Sequence, residues 1–328
     1  MHAEILEILR CPRTGQRLSL ESPEYSDGRI RCGWLVTEGG AHRYPIREFI
    51  PRFATESNYA DNFGMQWNRF RQTQLDSHSG QPISASRFWK STGWRAEELA
   101  GQWVLDAGCG AGRFAEVALQ AGARVVALDY SSAVDACHAN LKHHANLHVV
   151  QGDIYALPFV KGSFPFVYSL GVLQHTPDVA AACAALPPMV SDGGQLCVDF
   201  YGRGFGTMLH SKYLLRPITR HVPPQKLFRL LQSAVPILLP ICRSLGRIPM
   251  LGRVLKRAIP VTYYAGAYPL SPQQINEWAL LDTFDMLSPE YDKPQTPATV
   301  RRWLDGAGLA GVEVFRAGHL VGRGRKPP

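Results

Sequence analysis

Between Tyr201 and Pro260 there is no acidic residue, although eleven positions are Lys or Arg. The chain carries a formal net charge of +8 over 328 residues, so everything outside that stretch sums to 8 − 11 = −3. A diffusely basic surface is thereby excluded, and the positive charge is local. Cysteine is scarce and odd in number, seven in all, and Cys109, Cys183 and Cys197 sit inside apolar stretches. That pattern excludes a disulfide framework and reads as buried free thiols. Long hydrophobic runs are missing too: Ala234–Cys242 is the longest, too short to span a bilayer and interrupted by Pro236 and Pro240. The amphipathic opening MHAEILEILR lacks the ordered regions of a signal peptide. The expectation is a soluble, cytoplasmic protein, with peripheral contact at a membrane surface left open by the basic stretch. The composition, 45% hydrophobic and 19% charged, suits one large core with accessories.

What is present centres on WVLDAGCGAGRF, Trp103 to Phe114. An apolar run ends at Asp106, glycines follow at Gly108, Gly110 and Gly112, and a helix-like run starts at Arg113. This predicts a strand, a tight turn whose glycines let backbone approach a ligand, and a helix N-terminus with unpaired N–H groups. From 101 to 201 apolar strand-like runs alternate with helix-like ones, which predicts an α/β fold, a parallel sheet with helices on both faces and ligands at the carboxyl ends of the strands.

Acids close three of these strands: Asp106, Asp129 and Asp153. Asp129, 23 residues after Asp106, suits the two hydroxyls of a ribose, since a carboxylate accepts both. NAD would also meet that condition, but a dinucleotide loop requires a third glycine where Arg113 stands. The acid ahead of the glycines instead suits a ligand with positive charge. Blander roles stand beside these. Asp129 caps the helix after Ser131, Asp153 is a turn residue, or Gly112 serves helix packing.

The ordered set over 101–201 resembles a class I S-adenosylmethionine-dependent methyltransferase of small-molecule type, Rossmann-like with a seven-stranded sheet. The resemblance implies S-adenosylmethionine as donor and S-adenosylhomocysteine as product. It implies Gly108, Gly110 and Gly112 along the methionine and ribose part, Asp106 at the amino-acid end and Asp129 on the ribose. Asp153 then meets the adenine amino group with Ile154 against the ring, and Tyr130 and Leu170 join the donor-binding set. In YSLGVLQHTPD the best-placed general base is His175, with Tyr168 a second catalytic candidate; the alternative for His175 is packing of its loop. His210, Tyr263, Tyr264 and His319 are weaker alternatives. The Asn/Asp-Pro-Pro-aromatic motif of many exocyclic-amine methyltransferases is absent here, which shifts weight from base-amino methylation of nucleic acid.

Residues 1–55 read as a small β-rich module. With Tyr44, Pro45, Ile46, then Ile50 and Pro51, it resembles the zinc-ribbon-like domain of methyltransferase-activator subunits, but cysteines have been lost. Thr14 and Leu35 stand where partners of Cys11 and Cys32 would fall. Two ligands cannot hold zinc, and even with His42 the set is one short of four. Apolar packing is the better expectation, and no metal site is assigned.

Residues 56–100 read as a helical lid or linker. Phe63, Trp67 and Phe70 share one helical face, either as core or as a cover over the ligand, with Arg71 and Arg87 as candidates to meet a carboxylate. Residues 202–295 form a basic insert in which Leu227, Leu231, Val235 and Leu238 recur at helical spacing and Pro236 and Pro240 are expected to break the run into short pieces. Ser271, Pro272 and Gln274 open a helix to Leu281, Thr296 and Pro297 one to about Ala307, and a strand pair closes 296–328.

An insert after the fifth strand lies over the donor edge as a substrate cover. The expected reaction is methyl transfer to a small-molecule or lipid-linked, anionic acceptor, at oxygen or carbon, with membrane-surface contact through 202–260. Two alternatives stay open. One is an RNA methyltransferase whose insert grips phosphates. The other is a non-catalytic partner subunit that keeps the fold. The plain alternative for the eleven cations is that they only solubilise a helical cap. Neither the acceptor nor the oligomeric state follows from the sequence.

Overall fold

Short, punctuated segments in the first 55 residues pair as an antiparallel sheet of β1 (Leu18–Ser26), β2 (Arg29–Thr37), β3 (Arg43–Arg47) and β4 (Ile50–Pro51), in that order. The computed structural model describes residues 1–55, 58–204, 211–246, 248, 252, 259–264 and 266–328. Cys11 is buried with its Sγ 3.2 Å from the Tyr44 hydroxyl. Among the described residues no group of three or more His, Cys, Asp or Glu is placed to hold a metal ion.

Next come α1 (Asp61–Arg69), the single turn α2 (Asp76–Ser79), α3 (Ile83–Thr92) and the short α4 (Ala96–Leu99). The alternating centre then supplies β5 (Trp103–Ala107), α5 (Arg113–Gln120), β6 (Arg124–Asp129), α6 (Ala133–Leu141), β7 (Leu147–Gln151), β8 (Phe164–Ser169), α7 (Val179–Ala184) and β9 (Val190–Phe200). The insert contributes α8 (Lys212–Thr219), α9 (Pro224–Leu245) and α10 (Pro272–Leu287), and α11 (Pro297–Gly306), β10 (Ala310–Ala317) and β11 (His319–Arg325) finish the chain.

The main sheet has seven strands in the order β10-β11-β9-β8-β5-β6-β7. Neighbours are parallel from β9 to β7, and β11 runs antiparallel between β9 and β10. Strand alternation divides the core. Val104, Phe166 and Tyr168 face α3, α5 and α6, whereas Leu105, Val126 and Val167 face α7, α11 and the N-terminal module. The module joins the sheet physically. Arg52 bridges Gln151 at the β7 edge, the Phe53 N–H donates to Gln151 O (2.7 Å), and the Arg10 N–H donates to Pro158 O (2.8 Å). The exposed edge of β7 is thus covered.

A bridge between Gly202 and Gln295 closes the base of the insert. Above it, α8 and α9 pack on α10 around Leu227, Phe228, Leu231, Val235, Phe284 and Leu287. The prolines do not break α9, which runs unbroken for 22 residues. Pro236 and Pro240 lie on its exposed side, where water can serve the carbonyls they leave unpaired, while the inward row stays packed. Among the described residues α9 is the one helix long and apolar enough, by length and composition, to cross a membrane, with a mean hydropathy of 1.2. Helix α10 passes the expected end at Leu281, because Thr283, Phe284 and Leu287 continue its buried row. Nor do all insert cations face outward. Lys212 is buried against Asp292 (2.6 Å), and Arg216 donates to Met286 O and Pro289 O.

Candidate donor and acceptor site

The strand-turn-helix at 103–120 places its glycines at the carboxyl edge of the sheet, where the N–H groups of Gly108 and Cys109 both donate to Leu128 O. The three glycines have positive φ, +99°, +53° and +93° in order, a region costly to residues with a Cβ. Their surroundings differ. A Cβ on Gly108 would lie 2.4 Å from a Val172 methyl, one on Gly110 3.1 Å from the Trp67 indole nitrogen, and one on Gly112 2.7 Å from Leu141. Gly108 and Gly110 line a cavity; Gly112 does not, and its smallness serves contact with α6.

Of the three strand-end acids, Asp129 alone lines that cavity. Its Oδ2 accepts from the Gly110 N–H (2.9 Å), and its Oδ1 accepts from the Ser131 N–H (2.9 Å) and hydroxyl (2.7 Å). Burial raises its pKa, and these donors oppose the shift. Asp106 does not reach the cavity. Strand alternation turns it with Val104 to the α3 face, beside its cross-strand neighbour Tyr168. There burial pushes its carboxyl up to about 8, Asp129 adds to the shift, and the Tyr168 hydroxyl offsets part of it. Asp153 stands just outside the cavity and caps the turn after it, accepting from the Tyr155 N–H (3.0 Å). Its neighbours Gly152 and Ile154 do line the cavity, as do Tyr130 and Leu170.

The two catalytic candidates separate. Tyr168 is fully buried and ringed edge-on by Phe88 and Trp94, so it is core and not a reacting group. His175 lines the cavity, with Phe63 and Tyr201 rings 5.2 and 5.4 Å from its own. Its Nδ1 lies 3.0 Å from Tyr291 O. A carbonyl only accepts, so Nδ1 carries the proton, and in the neutral ring Nε2 is left as the acceptor.

Helix α1 roofs the cavity. Phe63 and Trp67 line it, Arg71 lies at its wall with Nη1 3.3 Å from Asn140 Oδ1, and Phe70 packs away from it onto Phe228. Arg87 does not meet the cavity. It pairs with Asp199 (2.6 Å), whose other oxygen accepts from the Gly171 N–H. Burial works to raise the Asp199 pKa, yet Arg87 prevails and holds it below the usual value.

A second, larger cavity of about 940 Å³ adjoins the first, sharing Trp67, Gln74, Arg113, Phe114, Leu170, Gly171 and Asp285 as a common wall. Arg113 spans that wall, donating to Ser84 Oγ (3.1 Å) and Gln74 Oε1 (2.5 Å). Arg87, Lys90 and Lys212 line the larger chamber with Tyr201, Tyr264, Tyr268 and Trp278. So does Asp282, which burial pushes up to about 7; it accepts from the Tyr264 hydroxyl and from Gln74 Nε2 (3.0 Å). His319 also faces the chamber, lowered to about 4 by burial and by Arg87. Tyr263 packs within the insert core, and His210 lies outside the described residues. Asp282 and Asp285 have no local signature, being only two polar positions in the helix that Ser271 caps.

Residues 105–198 match the methyltransferase domain family. Together with the sheet order and the glycine loop, this makes the central segment a class I S-adenosylmethionine-dependent methyltransferase domain. S-adenosylmethionine is the cofactor of that class, and the cavity fits it: the buried carboxylate of Asp129 in its wall, two glycines that any Cβ would crowd, and apolar Ile154 and Leu170. Among similar proteins are the ubiquinone biosynthesis O-methyltransferase of Aromatoleum aromaticum, 32% identical over 37% of this chain and 55% of its own length, and the malonyl-[acyl-carrier protein] O-methyltransferase of Erwinia billingiae, 41% identical over 30% and 42%. The chain thus spans about half the length of these curated relatives. The magnesium protoporphyrin IX methyltransferase of Synechocystis PCC 6803, solved with bound SAH, overlays at a TM-score of 0.43 with 17% identity, over 82% of this chain and 96% of its own.

Proposed function

We propose that the chain transfers the methyl group of S-adenosylmethionine to a small or lipid-linked acceptor that combines an apolar or aromatic body with an anionic group, at an oxygen or a carbon. The observation that carries this reading is the chamber of about 940 Å³ that shares a wall with the donor cavity and is lined by aromatic rings and by Arg87, Lys90, Arg113 and Lys212, which outnumber its carboxylates Asp282, Asp285 and Asp292. When bound, the cofactor supplies a methyl group already activated by its sulfonium. The chain's own residues then have three tasks: to hold, to align and to keep water out. Gly108, Gly110 and Asp129 hold the donor, and Trp67 covers it. His175 Nε2 is the acceptor for a proton leaving an acceptor hydroxyl, and Asp282, near neutrality, is the other group in the chamber suited to that task. The named O-methyltransferase relatives support oxygen as the atom methylated.

The test is incubation with labelled donor and cell extract fractionated into lipid, polar and RNA pools. Label is expected in the lipid or polar pool; label in the RNA pool overturns the acceptor class, and absent donor binding in calorimetry overturns the enzyme. His175→Ala should lower turnover at least tenfold while donor affinity holds, a span within the usual worth of a general base. If Asp282→Asn has that effect and His175→Ala does not, the proton goes to Asp282.

A further inference from the structure

Helix α9 has two unlike sides. Leu227, Phe228, Leu231, Val235, Leu239 and Cys242 face the insert core. On the outward side Leu230, Ile237 and Ile241 are 64, 67 and 46% exposed. Spacings of seven and four put these three in one line along the axis, within about 40° of one another. Lys226 is exposed beside this line, and Arg229 and Arg243 are exposed on the flank of the helix. On α8, Leu214 and Ile218, one turn apart, are 80 and 69% exposed, and Arg220 follows.

Large aliphatic side chains lined up in water mark a surface that something covers. The charge chooses the occupant. A second copy set face to face would bring cations against cations, with no acid from 201 to 260 to relieve them. An anionic lipid surface answers both halves of the pattern: the aliphatic line enters the acyl boundary and the Lys and Arg ends reach phosphates. Spanning is excluded in this fold, because the inward row is already packed on α10. The carbonyls freed by Pro236 and Pro240 also face outward, where they tolerate the hydrated interface but not hydrocarbon.

We infer that the outward faces of α8 and α9 dock this protein, lying flat, on an anionic membrane surface. The inference does not depend on which acceptor is methylated. Lys212, Asp282 and Met286 of the same helical unit line the acceptor chamber, so docking sets that chamber beside the lipid.

The full chain is to be sedimented with vesicles of phosphatidylcholine alone and with vesicles holding about 30% phosphatidylglycerol. Binding is expected to the anionic vesicles and to fall roughly tenfold or more in about 0.5 M salt. A Leu230→Asp, Ile237→Asp, Ile241→Asp variant should lose it at least tenfold, and Lys226→Glu with Arg229→Glu should reduce it similarly. These residues lie outside the donor cavity, so unchanged donor affinity by calorimetry certifies that each variant is folded. If either variant fails that control, Leu230→Ser with Ile237→Ser serves instead. Equal binding to neutral vesicles, no binding to either, or a folded variant that binds like the parent overturns the inference. A parent dimer that the triple variant converts to a vesicle-indifferent monomer overturns it in favour of a second copy.

Discussion

Asp129 ties two sides of the donor cavity together, one oxygen on the Gly110 N–H and the other on Ser131. Asp129→Ala therefore removes the proposed ribose acceptor and also frees a loop N–H. At about 1.5–3 kcal/mol for a charge-assisted bond, donor affinity should fall roughly tenfold to a hundredfold. Calorimetric titration measures this, and an unchanged Kd would refute the assignment. Asp106 poses the opposite problem, a carboxyl buried without an ionic partner and raised from 3.8 to about 8. In the unfolded chain it ionises near 3.8, so between that pH and about 8 the unfolded state releases a proton that the folded state keeps. Its contribution to stability is complete below pH 3.8, declines as the pH rises and is lost by about 8. Asp106→Asn cannot titrate, so its melting temperature should gain on the parent's steadily from pH 4 to 8 and run parallel above. A constant difference across that range would mean that Asp106 is ionised in the fold.

Helix α9 shows how far an inward row can overrule local breakers. Each interior proline forfeits a hydrogen bond and costs up to about 3 kcal/mol relative to alanine. Pro240→Ala restores an N–H that can donate to the carbonyl of residue 236, on a side where no packing needs to change. It should raise stability by about 1–2 kcal/mol, read as a higher denaturant midpoint. A loss would show that the helix relies on its proline geometry. The capping box at Ser271 and the Thr296 cap were legible because their signals are local, and the alternation from 101 to 201 was legible because its period is regular. Other features depend on direction or distance. Whether Asp106 points up into the cavity or sideways to α3 rests on strand parity, and Tyr168 follows it to the same buried face. The larger chamber gathers Arg87, Tyr264, Asp282 and His319 from four segments, and no spacing in the chain joins them.

The N-terminal module looks detachable in sequence, a little β-rich unit ahead of an α/β core, yet its apolar residues form one cluster with the main sheet. Ile5, Leu9, Ile30, Leu35 and Ile46 belong to the same core as Leu128, Val150, Ile154 and Phe159. Arg52 fastens the seam, donating to Gln151 Oε1 (2.9 Å) and pairing with Asp135 (2.6 Å), and Gln151 in turn donates to Tyr130 O beside the donor cavity. Side chains of this size contribute about 1.5–3 kcal/mol each when buried. Exposing even a few on both sides of the seam would consume most of the roughly 5–15 kcal/mol by which a domain is stable. Removal of residues 1–55 should therefore leave a chain with no sharp thermal transition and no donor binding. Arg52→Ala, which only loosens the seam, should lower the melting temperature and weaken donor binding modestly together. A truncated chain that unfolds cooperatively and binds donor like the parent would show instead that the core stands alone and that the shared cluster is contact without dependence.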